Sequence, residues 1–292
     1  MRLPPHLPLL LLLLGACLPG RAQEAPLPHF QLRPQPWQAI TGARETALDA
    51  IEGICRVAVG FQDSSGAIID PFVQREFQYA TPYIACAIGV LNHFGRGRAL
   101  LPAGIRAMEH ATACFAAGSS GIPDAHGEFF IASLTHALEV YRDQAPEADW
   151  LRWQNRMKTP LPRVMAGFEG RLNNWRAYAM NGEWLRAQHG LVDKDSARQF
   201  IETCWHTWTQ RERMVGDAWH MYQDWSSDPQ SLTVEAVGRG NLVSLLAQGY
   251  DGPSAAEMRH FVRTASQATL LLQSPTGQCP PNGRTDDHVF GD

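Results

Sequence analysis

The sequence predicts an all-α protein. Apolar residues recur at intervals of three and four through most of the chain, which is the spacing of one helix face. No segment shows the sustained alternation of apolar and polar residues that marks a half-buried strand. The joints between helical stretches are short and rich in glycine or proline, so neighbouring helices are expected to pack as antiparallel hairpins. These observations favour an α/α toroid, in which hairpins surround a central cleft, with an irregular helical bundle as the alternative.

The first predicted element is a leader. Arg2 precedes an apolar run over residues 7–16 that is too short to span a bilayer and has the length of a secretory signal. Two processing routes stay open: cleavage after Ala22, or lipidation of Cys17 within "LGAC", which looks like a bacterial lipobox. Both imply export, to the periplasm, to the outer membrane as a lipoprotein, or to the medium. The predicted organisation is a signal peptide over 1–22, a proline-rich lead-in over 23–37 and a toroid domain over 38–292.

The helical periodicity then continues to residue 273. Asp195 and Ser254 are the side chains expected to cap two of the helices. Polar and aromatic residues concentrate between helices at 62–78, 220–230 and 274–292, and loops on a helical scaffold often carry functional sites. The predicted helical stretches are 37–61, 79–94, 100–118, 128–145, 148–168, 173–191, 193–215, 231–250 and 254–273.

Composition and cysteine spacing exclude several classes of protein. A formal net charge of −4 gives no field that would recruit nucleic acid, so no nucleic-acid partner is expected. The five cysteines outside the leader are odd in number and dispersed, which excludes a full disulfide framework but leaves one disulfide open. Four of them lie in apolar helical stretches and are expected to be small buried side chains: Cys55, Cys86, Cys114 and Cys204.

The stretch "RLNNWRAYAMNGEWLRA" is the first candidate for a binding surface. Asn173 is expected to cap a helix, on which Asn174, Tyr178 and Asn181 share one face. Amide groups pair with sugar hydroxyls and carboxylates, and aromatic rings stack on sugar faces. The face is therefore interpreted as a sugar-binding wall. The two tryptophans of the stretch, Trp175 and Trp184, are expected to pack in the core.

The second candidate is "HMYQDWSSDPQ", which is expected to form a loop. His220 and Tyr222 are two residues apart, a spacing that points both side chains the same way in extended chain. A histidine and a tyrosine together can move protons. Asp224 and Trp225 follow directly and are assigned to substrate binding.

The third candidate is "CPPNGRTDDHVFGD" at residues 279–292. Arg284 suits a substrate carboxylate because its planar guanidinium binds such groups through two hydrogen bonds. The aspartates at 286 and 287 with His288 lack a recognised metal-ligand spacing, so no metal and no cofactor are expected. His126, beside Asp124 and Glu128 at a helix start, is a weaker candidate.

Common catalytic signatures are missing from the sequence. It contains no GxSxG, HExxH, Walker or GxGxxG motif. Carboxylates from different helices can still meet to hydrolyse a glycoside, so that reaction stays open.

These motifs together resemble a known family. An exported helical chain with "NNW" opening one helix, "WHMYQDWSSDP" in a later loop and "PPNGRTDDH" beyond it is similar to the α/α toroid polysaccharide lyases that act on uronic acid polymers. Among them it resembles the alginate and glucuronan lyases grouped as polysaccharide lyase family thirty-eight. The resemblance implies cleavage by β-elimination, in which the C5 proton beside the carboxylate is removed and the C4 oxygen leaves. It also implies a polyanionic saccharide as partner, with membrane contact only through a lipid on Cys17.

The resemblance implies a role for each matching residue. Asn174 would neutralise the substrate carboxylate, and His220 would act as base or neutraliser, with His288 as the alternative base. Tyr222 would serve as the acid, with Tyr178 as its rival, and Arg284 would bind the carboxylate or position the tyrosine. The residues assigned to substrate binding are Asn173, Tyr178, Asn181, Asp224 and Trp225.

Two other functions stay open from the sequence. One is a glycoside hydrolase that acts on unsaturated uronyl oligosaccharides, and the other is a non-catalytic exported glycan-binding protein. The chain also stops at "DDHVFGD", where toroid lyases continue, so an incomplete barrel or a fragment is expected.

Overall fold

The computed structural model describes residues 42–165, 174–209, 212–215, 219–222 and 232–273. This part of the chain is mostly helical, which confirms the all-α prediction. It holds three short 3-10 turns, Arg98–Leu100, Ser119–Gly121 and Pro123–Ala125. Its ten α-helices are α1 (Ala43–Val59), α2 (Ala80–His93), α3 (Leu101–Ala117), α4 (Glu128–Tyr141), α5 (Glu147–Arg156), α6 (Leu161–Val164), α7 (Trp175–Gln188), α8 (Lys194–Thr209), α9 (Leu232–Ala247) and α10 (Ala255–Leu272).

Two short antiparallel hairpins interrupt the helices. Strands β1 (Ile69–Asp70) and β2 (Arg75–Glu76) pair within the loop between α1 and α2. Strands β3 (Glu212–Val215) and β4 (Trp219–Tyr222) pair in register after α8. The prediction of a helix to residue 215 and of a loop at 220 was therefore wrong. Four-residue strands are too short to show a clear alternation, although Val, Trp and Tyr favour extended chain.

The predicted helix over 148–168 is divided in two. Helix α5 ends at Arg156 and α6 begins at Leu161, after Pro160 with its extended backbone (φ −61°, ψ 139°). Proline lacks an amide hydrogen and its ring clashes with the preceding turn, so it ends a helix or starts a new one. Apolar residues keep their helical spacing across the break between α5 and α6, so the sequence pattern did not reveal it.

Helix starts differ in detail from the sequence prediction. Helix α8 begins at Lys194, and the Asp193 carboxylate accepts a hydrogen bond from the Ser196 amide at 2.7 Å. Asp193, and not Asp195, is thus the capping side chain. Ser254 does precede α10, but its hydroxyl donates to Glu202 at 2.5 Å and leaves the helix end without a side-chain cap.

The helices pack in two sets. Helices α2, α4, α7 and α9 form a series in which each contacts the next. The others lie against this series: α1 on α2, α3 on α2 and α4, α5 on α3, α8 on α7, and α10 on α9. Strand β4 packs on α10 and also contacts α9.

Helix α7 belongs to both main parts of the core. Its Ala179 packs among apolar side chains of α2 to α6, while its Trp184 packs with those of α8, α9 and α10. Trp184 is fully buried, as predicted. Because α7 is covered on all sides, its polar residues must find partners inside the protein. No described helix is both long and apolar enough to cross a membrane.

Candidate functional site

Six aromatic side chains meet where helices α2, α4 and α7 begin. We call them the aromatic cluster: Tyr79, Tyr83, His126, Phe129, Trp175 and Tyr178. Tyr79 immediately precedes α2, Phe129 is the second residue of α4, and Trp175 is the first residue of α7. The amino-terminal ends of three neighbouring helices therefore converge at one place.

The rings of the cluster are in contact with one another, with Phe129 buried between the others. The Phe129 ring centroid lies 4.4 Å from that of Tyr79 and 4.4 Å from that of Tyr178. His126 meets Trp175 edge-on, with centroids 4.3 Å apart. Trp175 is half-buried here and contacts His126 and Phe129, so it differs from the fully buried core residue predicted for it. Partly exposed rings of this kind offer apolar faces on which sugars stack.

An amide network extends the cluster onto α9. Asn241 lies close enough to the hydroxyl of Tyr178 to lower its pKa. Asn181 donates to the Asn241 side-chain oxygen at 3.3 Å and accepts from Gln248 at 3.0 Å. Tyr178 and Asn181 are three residues apart on α7 and both lie beside Asn241, as expected of residues on one helix face. Asn241 and Gln248 are functional candidates that the sequence analysis missed, because no local spacing connects them to α7.

Asn174 occupies the position before α7 that was predicted for Asn173. It is 8% exposed, its carbonyl accepts from the Ala177 amide at 2.9 Å, and its side chain makes no capping hydrogen bond. Its side-chain amide therefore does not cap the helix. Asn173 lies outside the described residues.

His126 is held by a buried carboxylate. Its Nδ1 lies 3.1 Å from Oε1 of Glu128, whose side chain is 1% exposed. A carboxylate on one ring nitrogen fixes the orientation of an imidazole and supports it as a proton acceptor through the other nitrogen. His126, the weakest candidate from the sequence, thus lies in the aromatic cluster beside Trp175.

The two loops next to the cluster have unusual backbone conformations. Asp124 ties them together, since its carboxylate accepts from the Gln78 amide at 2.9 Å and pairs with Arg75 at 3.2 Å. Such conformations cost free energy and are concentrated at functional sites. All described non-glycine residues with positive φ lie in these loops: Gln74, Gln78, Asp124 and Ala125.

Burial sets the protonation of the tyrosines in the cluster. Loss of solvent raises the pKa of Tyr178 above its usual 10.0, with the neighbouring Tyr79 adding to the shift and Asn241 opposing it. Burial also raises the pKa values of Tyr79 and Tyr83. The phenol of Tyr178 is therefore protonated at neutral pH.

Two further predicted site residues are described, and both lie on strand β4. His220 and Tyr222 belong to β4, which packs on α10 and contacts α9. Helix α9 in turn packs on α7, so a single helix connects β4 to the aromatic cluster. The predicted contact between Asn174 and His220 stays a prediction. Four further predicted positions lie outside the described residues: Asp224, Trp225, Arg284 and His288.

A separate cavity of about 900 Å³ lies on the opposite side of α7. Arg176 and Glu183 of α7 line it, together with Met165, Phe200 and Cys204. Its surface is largely apolar, although serine and threonine hydroxyls also line it. The predicted sugar-binding residues Tyr178 and Asn181 are not among its lining residues, so the aromatic cluster is the place where the predicted saccharide site is considered.

The described residues include one group with the side chains of a metal centre. Glu76, His110 and Cys114 each place a ligand atom within 4.8 Å of the others. The four cysteines in the described part of the chain are free, and Cys55 and Cys204 are buried as predicted.

Comparisons with known proteins identify no relative. No protein-family model matches the chain, and neither a curated protein nor a solved structure is significantly similar to it.

Proposed function

We propose that this protein is a polysaccharide lyase that cleaves uronic acid polymers by β-elimination. The observation that supports this best is the junction of the aromatic cluster with the amide network of Tyr178, Asn181 and Asn241. It combines rings for stacking, amides for hydroxyls or carboxylates, and a protonated phenol. The resemblance of the sequence to lyases of alginate and glucuronan points to the same chemistry.

We further propose that the helices are arranged as an α/α toroid. In such a fold, inner helices contact one another in sequence and outer helices cover them. The series α2, α4, α7 and α9, with α1, α3, α8 and α10 against it, is what this arrangement requires. Inner helices that run in the same direction bring their first residues to one end of the ring, where Tyr79, Phe129 and Trp175 lie.

Helix dipoles support an anionic substrate at this place. Each helix amino terminus has free amide hydrogens and carries a partial charge of about +0.5. Three such ends converge beside the aromatic cluster, although the chain as a whole has a formal net charge of −4. A uronate carboxylate near Asn174 would be stabilised both by the first turn of α7 and by the amide side chain.

The proposed reaction needs a base for the C5 proton and an acid for the leaving C4 oxygen. We assign the acid to Tyr178 or Tyr222, since a phenol carries a proton that it can give to the leaving oxygen. His220 or His288 is the proposed base, and His126 joins them because Glu128 orients its ring. In this scheme, Asn174 neutralises the carboxylate that would otherwise oppose proton removal.

The remaining assignments complete the proposal. Arg284 would bind the substrate carboxylate, and Asn173, Asp224 and Trp225 would contact the polymer. Export, by either processing route at Ala22 or Cys17, would bring the enzyme to a polymer that does not enter the cytoplasm. Neither nucleic acid nor a membrane-spanning segment has a part in this function.

Incubation with defined polymers tests the proposal. The purified full chain is mixed with alginate blocks of either epimer or with glucuronan, and the ultraviolet absorbance of the new C4=C5 double bond is followed. A rise in absorbance identifies a lyase. Reducing ends without that rise would instead identify a hydrolase, and retention on the polymer without cleavage would identify a binding protein; either result would overturn the proposal.

Asn174→Ala tests the central residue. We expect the lyase rate to fall by about 100-fold or more, because neutralisation of the carboxylate acts directly on the transition state. Asn155→Ala, on the distant helix α5, is the matched control and should keep the wild-type rate. An unchanged rate for Asn174→Ala would exclude Asn174 from the reaction.

A further inference from the structure

Three metal-binding side chain types meet between strand β2 and helix α3. Nε2 of His110 lies 2.9 Å from Oε2 of Glu76 and 3.4 Å from Sγ of Cys114. His110 and Cys114 are four residues apart on α3 and therefore share one helix face, and β2 brings Glu76 against it. All three side chains are half-buried, so Cys114 is not the fully buried apolar residue that its sequence context predicts.

A hydrogen bond holds the ring of His110 from the side away from Glu76. The hydroxyl of Ser65 donates to the Asp63 carboxylate at 2.7 Å, so its oxygen is left to accept. Nδ1 of His110 lies 3.2 Å from this oxygen and can donate to it. Nε2 faces Glu76 and Cys114, and without a metal it donates its proton to the Glu76 carboxylate. Metal-bound histidines are held in this way by a partner on the other ring nitrogen.

The carboxylate of Glu76 is also held in place. Thr81 accepts a hydrogen bond from the Ile68 amide at 2.9 Å and donates its hydroxyl proton to Oε1 of Glu76. This leaves Oε2 directed at His110. The Glu76 carboxylate and the His110 ring therefore each have a partner that holds one of their polar atoms. The other polar atom of each group is left to bind a metal.

The three groups face one point. Once Nε2 and the thiol have lost their protons, Nε2, Oε2 and Sγ can each offer a lone pair to a common centre, and one cation can bind all three. Cysteine and histidine with one carboxylate are the ligands that Zn²⁺ prefers, and four-residue spacing on a helix is a common way to supply two of them.

We propose that Glu76, His110 and Cys114 bind one Zn²⁺ ion per chain. Zinc ligands at about 2.0–2.3 Å lie about 3.3–3.6 Å apart in tetrahedral geometry, close to the separations found here. Binding releases the proton on Nε2 of His110 and the thiol proton of Cys114 to solvent, and it leaves a fourth position for water. The ion would fasten the β2 loop, and with it Tyr79 of the aromatic cluster, to α3. This site is independent of the proposed lyase activity.

Metal binding by the full chain tests this proposal without any saccharide. The purified protein is stripped with a chelator and then loaded with Zn²⁺ for mass-spectrometric metal analysis, or with Co²⁺ for absorption spectroscopy. We expect one Zn²⁺ per chain, and a Co²⁺ form with a thiolate charge-transfer band and intense tetrahedral d–d bands. Zinc should also raise the unfolding temperature of the stripped protein.

Matched variants identify the ligands. Cys114→Ser should abolish the charge-transfer band, while Cys86→Ser on neighbouring helix α2 should retain it. Ser65→Ala keeps all three ligands and should weaken Zn²⁺ binding by about 10-fold, because it removes only the partner of Nδ1. This milder variant serves if Cys114→Ser does not fold, as judged by circular dichroism.

Two results would overturn the metal site. The first is wild-type protein that takes up no Zn²⁺ or Co²⁺, which would leave Glu76 and His110 as a hydrogen-bonded pair only. The second is an unchanged charge-transfer band in folded Cys114→Ser together with unchanged Zn²⁺ affinity in Ser65→Ala. A lyase assay has no bearing on either result.

Discussion

Arg186 and Glu183 form an ion pair inside the protein. Nη1 of Arg186 lies 2.7 Å from Oε2 of Glu183, and the arginine side chain is fully buried. Its other nitrogens donate to the carbonyls of Met157 at 3.0 Å and Thr159 at 2.7 Å. Burial raises the pKa of Glu183, and the attraction of Arg186 opposes that shift. The pair thus ties α7 to the chain that follows α5.

Arg186→Leu should destabilise the protein strongly. The substitution leaves the Glu183 carboxylate and two carbonyls without their partner, and removal of one member of a buried ion pair costs about 3–5 kcal/mol. The free energy of unfolding in urea measures the loss. Arg152→Leu on α5, whose pairs with Glu109 and Asp149 are largely solvent-exposed, is the control and should change stability far less. Equal losses in the two variants would contradict a special role for the buried pair.

Glu235 should make stability depend on pH. It is 1% exposed, and burial raises the pKa of its carboxyl from 4.5 to about 7 despite Arg239 at 3.0 Å. The folded state therefore binds this proton more tightly than the unfolded state. The resulting stabilisation is complete below the unfolded pKa near 4.5 and is lost as the pH rises through about 7.

Glu235→Gln tests this pH dependence. Glutamine resembles the protonated carboxyl, so the free-energy difference between variant and wild type should change by up to about 3 kcal/mol across this window. Urea unfolding at several pH values gives the two curves. Glu139→Gln, at a side chain that is 63% exposed, should follow the wild-type curve. Parallel curves for Glu235→Gln and wild type would show that folding does not shift the pKa of Glu235.

Gly182 permits close contact between α7 and α4. A Cβ atom at this position would lie 2.7 Å from Cβ and Cγ2 of Ile131. Gly182→Ala should therefore force the two helices apart and cost about 1–3 kcal/mol of stability. Gly53→Ala in exposed α1 meets nothing within 4 Å and should stabilise the helix by up to about 1 kcal/mol. Thermal unfolding compares the two, and stabilisation by Gly182→Ala would contradict the close packing.

Local periodicity predicted the helices well because the apolar residues of one helix face all lie within a single stretch of sequence. Helix α2 was expected over 79–94 and forms over Ala80–His93, and α10 was expected over 254–273 and forms over Ala255–Leu272. The same signal failed at Pro160 and at β3, where apolar spacing continues although the backbone changes. Proline chemistry could have revealed the first break, whereas β3 depends on pairing with β4.

For the site, the sequence predicted only which residues share one helix face. The spacing of Tyr178 and Asn181 was sufficient to place them together, but their partner Asn241 is 60 positions from Asn181. The aromatic cluster likewise joins Tyr79 to Trp175 through Phe129, across three helices. Contacts of this kind arise from the order in which α2, α4, α7 and α9 pack. That order cannot be inferred from the sequence of any one helix.

Tyr178→Phe should separate catalysis from folding. If Tyr178 is the acid of the proposed lyase, removal of its hydroxyl should lower kcat by about 100-fold to 10,000-fold. Loss of the hydroxyl beside Asn241 should cost only about 0.5–1.5 kcal/mol of stability. Because the pKa of Tyr178 is raised above 10.0, wild-type activity should not lose its acid at neutral pH and should decline only in strongly alkaline solution.

Two further phenylalanine variants decide between the tyrosines. Tyr83→Phe changes a hydroxyl in the same aromatic cluster on a residue that is 41% exposed, and it should keep most of the activity because the ring remains for stacking. Tyr222→Phe changes the rival acid on β4. If Tyr222→Phe abolishes cleavage while Tyr178→Phe leaves kcat intact and weakens only polymer binding, the acid is Tyr222. Tyr178 would then be part of the sugar-binding wall together with Asn181.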